Sequence, residues 1–136
     1  MSRPKNGTPA TRILLTERAL RDIRDIESYS IERWGSTTAG KYVESIESAL
    51  DRIVAKPDLL RVEPEFSEFL RFYRVQKHVL AFDVQDNVIY LLAVFHTSMD
   101  IPTRLAKLQP QLSVEVALLH RKLSSARGKS QRVDRD

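Results

Sequence analysis

The side chains that could do chemistry lie mainly in one stretch of the sequence, residues 71–100. This stretch holds two arginines, one lysine and two histidines among apolar and aromatic residues: Arg71, Arg74, Lys77, His78 and His96. Cations can stabilise the charge that develops on a phosphodiester during cleavage, and an imidazole can move the proton near neutral pH. His96, at the end of a predicted strand, is therefore the candidate acid or base for chemistry on a phosphodiester.

A second interpretation gives the same residues structural roles. A histidine at a strand end commonly forms hydrogen bonds only, and His78 is expected to be a solvated turn residue. Arg71 and Arg74 stand three apart on one strand, so they point to opposite faces and cannot line one phosphate pocket. One of them is expected to pair with an acid such as Glu65 or Glu68, or with a carboxylate of a partner.

Several kinds of site are excluded by what the sequence lacks. There is no Cys, hence no disulfide, no thiolate zinc site and no cysteine nucleophile. The histidines are dispersed, no glycine-rich phosphate loop is present, and no serine lies in a G-x-S-x-G motif. We therefore expect no metal and no cofactor, and exclude serine hydrolase, kinase and dehydrogenase activities.

The positive charge belongs to the ends of the chain. Residues 1–12 and 113–136 each carry a net +3, which leaves −2 of the total +4 for residues 13–112. A body that binds nucleic acid would need a basic face, which this balance does not support. No apolar run approaches the roughly 20 residues of a membrane span, and the N-terminus does not resemble a signal peptide. We expect a cytoplasmic protein without membrane contact.

The elements that must position the candidate side chains begin with a short strand at residues 12–15. Thr16 is a good N-cap, and apolar residues then recur at steps of three and four through residues 17–34. A second helical stripe follows Gly35, which suits a helix end, and stops at Pro57. Two helices joined by one glycine turn predict an antiparallel helical hairpin.

Three short strands are predicted after the hairpin and a loop at residues 58–69. They span residues 70–75, 79–84 and 88–95, and their short connections predict a meander. The third strand is apolar on both faces and should be interior to the sheet. The hairpin would cover one face, and the basic side chains would gather on the other face or at its margin.

The C-terminal part is predicted to hold two helices separated by Pro110, at residues 103–108 and 113–125, with a disordered tail from Ala126. The fold class is therefore α+β, with an N-terminal strand, a helical hairpin on a small antiparallel sheet, and a C-terminal helical extension. We divide the chain into a flexible arm (1–11), a main domain (12–109) and a C-terminal helix with a basic tail (110–136).

Six motifs together resemble the RelE/ParE superfamily of toxins from bacterial type II toxin–antitoxin modules, over about residues 13–102. They are L-T-x-x-A-L-x-D-I at 15–23, Y-S-I-E-R-W-G at 29–35, A-x-x-Y-V-x-x-I at 39–46, K-P-D-L at 56–59, L-R-F-Y-R-V at 70–75 and V-F-H-T-S-M-D at 94–100. The Y-x-x-x-R-W-G turn and the H-x-x-M-D end look like the ParE branch.

The resemblance implies two alternative activities. ParE-like toxins inhibit DNA gyrase by protein–protein binding and are not nucleases, whereas RelE-like toxins cut mRNA on the ribosome. The first is favoured, because a ribonuclease needs cations converging on one face and here only His96, Arg71, Arg74 and Lys77 are candidates. A third possibility is a decayed toxin without activity, which growth arrest on expression would test.

The resemblance also implies a cognate antitoxin, which in this family wraps the toxin, and a toxin–antitoxin hetero-oligomer. The residues expected to contact partners lie at the helix turn and at the ends of the strands: Trp34, Arg71, Arg74, His96, Met99 and Asp100. The extension after Gln109 is outside the family core. It could fill the antitoxin's groove in cis, contact a partner, or trail.

Overall fold

The computed structural model describes residues 11–135 of the chain, with side chains described through residue 124. Its elements are β1 (Arg12–Leu15), α1 (Glu17–Trp34), α2 (Ser36–Ala55), β2 (Arg61–Glu63), β3 (Ser67–Val75), β4 (His78–Gln85), β5 (Val88–His96) and α3 (Ile101–Arg135). The predicted α+β class is confirmed. The division into arm, domain and extension stays a prediction, and residues 1–10 of the arm lie outside the described residues.

The predicted helical hairpin is formed by α1 and α2. Thr16 is the N-cap, because its Oγ1 accepts the N–H of Ala19 at 3.0 Å. Gly35 follows α1 with a φ of 90° and a ψ of 165°, a backbone region that is essentially confined to glycine. It lets α2 begin at Ser36 with no further linker.

The five strands form one sheet in the order β1-β5-β4-β3-β2. The predicted meander is confirmed, since β3, β4 and β5 are antiparallel neighbours joined by two-residue turns. The N-terminal strand pairs in parallel with β5. As predicted, β5 is interior, and each residue from Val88 to Phe95 is buried.

The loop predicted at residues 58–69 was wrong in part, because this segment contains regular structure. A 3-10 turn (Pro57–Leu59) precedes β2, and β3 already begins at Ser67. The N–H of Phe66 donates to the carbonyl of Glu63 at 2.8 Å, which closes the turn between β2 and β3. The Phe66 ring meets Phe72 edge-on at 5.2 Å. Such a tertiary contact leaves no periodic signal in the sequence.

A β-bulge at Leu92 interrupts the alternation of side chains along β5. Phe82 of β4 pairs with Leu91, whereas its neighbour Ala81 pairs with Ala93, so Leu92 is an extra residue. Side chains beyond the bulge therefore point to the face opposite to the one that strict alternation predicts.

Two side chains of the first helical turns hold the bulged part of β5. Thr16 donates its hydroxyl to the carbonyl of Leu92 at 2.8 Å. The carboxylate of Asp22 accepts the N–H of Val94 at 2.9 Å. The start of α1 is thus fastened to β5 by side-chain hydrogen bonds as well as by packing.

Both faces of the sheet are covered by helices. The face that packs against α1 and α2, here called the hairpin face, contributes Val75, Leu80, Phe82, Ile89, Leu91 and Val94. The opposite face, here called the α3 face, contributes Leu70, Phe72, Val79, Ala81, Val88, Tyr90, Leu92, Ala93 and Phe95. The prediction that basic side chains gather on this second face or at its margin was wrong in part, because α3 covers the face and His78 and His96 lie on the hairpin face. Arg74 does lie at its margin, beside Phe66.

The helix α3 is continuous where two helices and a disordered tail were predicted, and it extends to Arg135. Pro110 lies within it, on the exposed side. A proline inside a helix costs about 3 kcal/mol. Ile101, Leu105, Leu112 and Val116 are all at most 3% exposed, and burying each gains about 1.5–3 kcal/mol. The free energy gained by packing α3 on the sheet therefore exceeds the cost of Pro110 inside the helix.

Polar contacts also fix α3 on the domain. Glu115 accepts the backbone N–H of Glu17 at 2.8 Å, next to the start of α1. The Nδ1 of His120 lies 2.7 Å from the Tyr90 hydroxyl, and its Nε2 lies 3.1 Å from a carboxylate oxygen of Asp86. The helix is thus a packed part of the domain over its described side chains.

Candidate functional site

A groove of about 550 Å³ opens between the helical hairpin and the ends of β4 and β5. Its volume lies in the range of about 300–1,000 Å³ that is common for binding sites. The groove is lined by Asp25, Ile26, Tyr29, Ser30, Trp34, Thr38, Lys41, Tyr42, Gln76, Lys77, His78 and His96. Three of the predicted site residues, Trp34, Lys77 and His96, are among them.

The bulge in β5 brings the two histidines of the groove together. His78 and His96 are directly opposed on β4 and β5. Because Leu92 is an extra residue, His96 shares the hairpin face with Val94 and therefore reaches the groove. The two imidazole rings meet edge to face, with centroids 5.2 Å apart.

Hydrogen bonds occupy the Nδ1 atoms of both rings. The Tyr42 hydroxyl contacts Nδ1 of His78. The backbone N–H of Ser98 donates to Nδ1 of His96 at 3.0 Å, and the Ser98 hydroxyl lies 2.7 Å from the same atom. This geometry assigns the proton of a neutral His96 to Nε2. The ring is then an N–H donor, without the free lone pair that a general base needs.

The electrostatics of the groove keep His78 uncharged. Burial, which is the larger cause, and the neighbouring His96 together lower the pKa of His78 from 6.5 to about 4. Burial also raises the pKa of Tyr42, against the opposing effect of the Lys77 backbone. At neutral pH the Tyr42–His78 pair is therefore a neutral wall of the groove.

The outer side of the groove is aromatic and exposed. Tyr29 and Trp34, near the end of α1, are 54% and 58% exposed, with rings in edge contact at 6.1 Å. The guanidinium carbon of Arg33 lies 5.5 Å from the Tyr29 ring centroid and 5.9 Å from that of Trp34. Exposed Trp, Tyr and Arg together are typical of protein-binding surfaces.

Two lysines add unpaired positive charge to the groove. Lys41 extends from α2 and Lys77 from the turn between β3 and β4, and both are exposed. Within the described residues neither forms an ion pair. Of the described residues that line the groove, Asp25 is the one acid.

The two predicted arginines lie away from the groove and, as predicted, on opposite faces of the sheet. Arg71 lines a second cavity of about 560 Å³ with residues of the 3-10 turn and of the turn between β4 and β5. Arg74 forms an ion pair at 3.4 Å with Glu63, rather than with Glu65 or Glu68. The pairing of β2 with β3 explains this choice, since it sets Glu63 beside β3.

Met99 and Asp100 lie in the link from β5 to α3. The Asp100 carboxylate accepts the hydroxyl of Thr103 at 2.8 Å and its N–H at 3.4 Å, and it thereby caps α3. Met99 is 40% exposed. Its exposure leaves it free to contact a partner.

Sequence reasoning missed His78, Tyr42, Tyr29 and Lys41 as groove residues. His78 was expected to be solvated, and Tyr42 reads as one more apolar position of a helical stripe. The position of the turn could have indicated that His78 belongs to a strand. A two-residue turn after Val75 makes His78 the first residue of the next strand. Its pairing with His96, however, depends on the bulge, which the sequence does not reveal.

The described residues form neither a cluster of metal ligands nor a membrane-spanning helix. Among the described residues, no group of three or more His, Cys, Asp or Glu side chains could hold a metal ion. No helix in the described part of the chain is long and apolar enough to cross a membrane.

Comparison with known proteins identifies close relatives by sequence. A family model described as the ParE toxin of the type II toxin–antitoxin system parDE matches residues 13–101. The Toxin ParE of Escherichia coli is 29% identical over 97 residues, which span 71% of this chain and 94% of that protein. The Toxin ParE1 of Mycobacterium tuberculosis is 28% identical over 97 residues, spanning 71% and 99%.

Solved structures share the fold. The chromosomal ParDE toxin–antitoxin system of P. aeruginosa matches with a TM-score of 0.59 at 16% identity, covering 65% of this chain and 98% of that one. The toxin–antitoxin complex RelBE2 of Mycobacterium tuberculosis gives 0.50 at 11% identity, covering 65% and 99%. The family match ends at residue 101, where α3 begins.

Proposed function

Because the chain belongs to the ParE toxin family of type II toxin–antitoxin systems, we propose that it inhibits DNA gyrase by protein–protein binding and is neutralised by a cognate antitoxin. It resides in the cytoplasm, and binding of the antitoxin forms an inactive toxin–antitoxin hetero-oligomer. Gyrase as the target follows from the resemblance to the ParE branch. The antitoxin partner is supported by two structural neighbours that are themselves toxin–antitoxin systems.

Binding is favoured over catalysis because the candidate catalytic residues lie in different parts of the structure. A metal-independent ribonuclease needs several cations around one phosphate. Here Lys77 and His96 line the groove, whereas Arg71 and Arg74 lie elsewhere. His78 is uncharged at neutral pH, and His96 lacks a free lone pair. The exposed aromatic groove instead has the composition of a protein-binding surface.

The test uses purified gyrase. We expect the wild-type chain to inhibit supercoiling and to accumulate cleaved DNA complexes, and Trp34→Ala to inhibit at least tenfold more weakly. Phe69→Ala is the matched control, since Phe69 is an exposed aromatic residue outside the groove, at 78% exposure. It should inhibit like the wild type.

The RelE-like alternative makes the opposite prediction. It requires mRNA cuts in a ribosome-containing translation reaction and their loss in His96→Ala. Normal supercoiling in the presence of the chain, together with such cuts, would refute gyrase as the target.

A further inference from the structure

The positive charge of the chain is concentrated on α3, which begins where the family match ends. Residues 101–135 hold eight basic and two acidic residues, a net charge of +6, whereas residues 1–100 have a net charge of −1. The sequence predicted two helices and a disordered tail here. Because α3 is instead one helix that packs on the sheet, this charge lies on a surface of the folded domain.

Four cations lie on the outer side of α3 where its side chains are described, and all four are exposed. They are Arg104 and Lys107 near its start, and Arg121 and Lys122 further along. Among the described residues none of the four forms an ion pair with a carboxylate. Glu115, the one acid in this part of α3, accepts the backbone N–H of Glu17. The positive charge on the outer side of α3 is therefore not neutralised by the helix itself.

Two exposed apolar side chains lie between these pairs of cations. Val114 and Leu118 are 61% and 46% exposed. They follow Lys107 at helical steps that place them on its side of the helix. At a rise of about 1.5 Å per residue, Lys107 and Arg121 stand about 21 Å apart along the axis. The outer side of α3 is thus a ridge with cationic ends and a small apolar middle.

Several possible partners fit this ridge poorly. A second copy of the chain would set cations against cations. An acidic membrane surface binds helices that have a broad apolar face, but the apolar stripe of α3 is buried on the sheet. A single-stranded nucleic acid is held largely by stacking on aromatic side chains, and residues 101–135 contain none.

Duplex DNA fits the ridge in both charge and shape. It presents one negative charge per about 1.7 Å of its axis, and its major groove, about 12 Å wide, admits an α-helix. An RNA duplex does not, because its major groove is deep and narrow. In the DNA groove the cations at the two ends of the ridge meet phosphates, and the apolar middle faces the edges of the bases.

We propose that the outer side of α3 binds duplex DNA, with Arg104, Lys107, Arg121 and Lys122 on the phosphates. This activity goes beyond the proposed inhibition of gyrase and does not depend on it, since it belongs to a helix outside the family match. If gyrase is the target, DNA binding brings the chain to the same duplex that the enzyme holds.

The test measures the affinity of the full-length chain for a short fluorescently labelled DNA duplex by anisotropy, over a series of salt concentrations. Binding to phosphates releases counterions, so the logarithm of the association constant should fall linearly with the logarithm of the salt concentration. Four or more phosphate contacts predict a slope of about −3.6 or steeper.

Neutralising each pair of cations tests where the DNA binds. Arg104→Gln with Lys107→Gln, and Arg121→Gln with Lys122→Gln, should each weaken binding about tenfold at low salt and reduce the slope by about 1.8. The matched control is Arg52→Gln with Lys56→Gln. It removes the same charge from exposed positions at the end of α2, on the other side of the sheet, and should bind like the wild type. Thermal unfolding of each variant confirms folding.

Vesicles of acidic phospholipid and a single-stranded DNA are titrated in parallel. Duplex binding that is equal in all variants, or no duplex binding even at low salt, refutes the proposal. Vesicle binding that is lost in the two α3 variants, without duplex binding, assigns the ridge to a lipid surface instead. Tighter binding of the single strand than of the duplex would contradict the fit to the major groove. Gyrase inhibition is measured separately, and its absence would refute the proposed function alone.

Discussion

On the α3 face of the sheet, one helix lays a continuous apolar stripe across the strands, whereas on the hairpin face two helices leave the groove open beside the ends of β4 and β5. The stripe residues Leu105, Leu112 and Val116 are at most 3% exposed. In the groove, Tyr29 and Trp34 are more than half exposed and unpaired lysines stand nearby. The difference separates the side chains that stabilise this chain from those available for recognition.

The largest effect on stability should come from a substitution that disrupts the packing of α3 on the α3 face. Val116→Asp should lower the free energy of unfolding by more than about 3 kcal/mol, since it removes a buried apolar side chain and inserts a charge without a partner. Val114→Asp is the control on the same helix, because Val114 is 61% exposed; it should cost less than about 1 kcal/mol. Urea unfolding measures both, and equal losses would mean that α3 does not pack as described.

A smaller effect is expected where the two hairpin helices join. Gly35→Ala should lower the free energy of unfolding by about 2 kcal/mol, because a side chain strains the backbone at a φ of 90°. Gly40 lies inside α2, and a Cβ added there would meet no other atom within 4 Å. Gly40→Ala should therefore raise the free energy of unfolding by about 0.5–1 kcal/mol. Thermal unfolding distinguishes the signs. If Gly40→Ala also lowered the free energy of unfolding, the space beside Gly40 would not be open as described.

The smallest effect is a pH dependence from the wall of the groove. His78 has a folded pKa of about 4, below its ordinary 6.5, so the unfolded chain takes up the proton first. Stability from neutral His78 is present above pH 6.5 and is lost as the pH falls towards about 4, on the order of 1 kcal/mol after allowance for solvent. The neighbouring groups are Tyr42, His96 and Lys77.

Urea unfolding between pH 4 and 7 checks this dependence. His78→Asn should flatten it, whereas His120→Asn, on the α3 face, should leave the part due to His78 intact. A wild-type slope unchanged in His78→Asn would show that His78 is not buried as described.

Local signals explain why much of the fold could be predicted. The cap at Thr16, the glycine at residue 35 and the step pattern between them are short-range features, and they gave the hairpin and its bounds. The alternation of apolar and polar residues, together with the two-residue turns, predicted the three-stranded meander. These signals act within a few residues, where the sequence is sufficient.

The remaining errors arise where tertiary packing overrides local preference. Pro110 predicts a break, yet the sheet holds α3 on both sides of it. The bulge at Leu92 is held by the hydroxyl that Thr16 donates to the Leu92 carbonyl and by the Val94 N–H that donates to Asp22, and both partners are more than 60 residues away in sequence. Because that bulge turns His96 into the groove, some residues of the candidate site could be predicted one by one, but their arrangement could not.

The hydrogen bond from Val94 to Asp22 has a consequence for how partners can join the sheet. β1 ends at Leu15, opposite Leu91, so the end of β5 would otherwise present a bare backbone edge. Such an edge is a template for strands of other chains. With the Asp22 carboxylate on the Val94 N–H, a strand could extend the sheet here only by displacing α1. At this end of β5 one carboxylate therefore blocks the backbone edge, so a partner that binds here contacts side chains and does not add a strand.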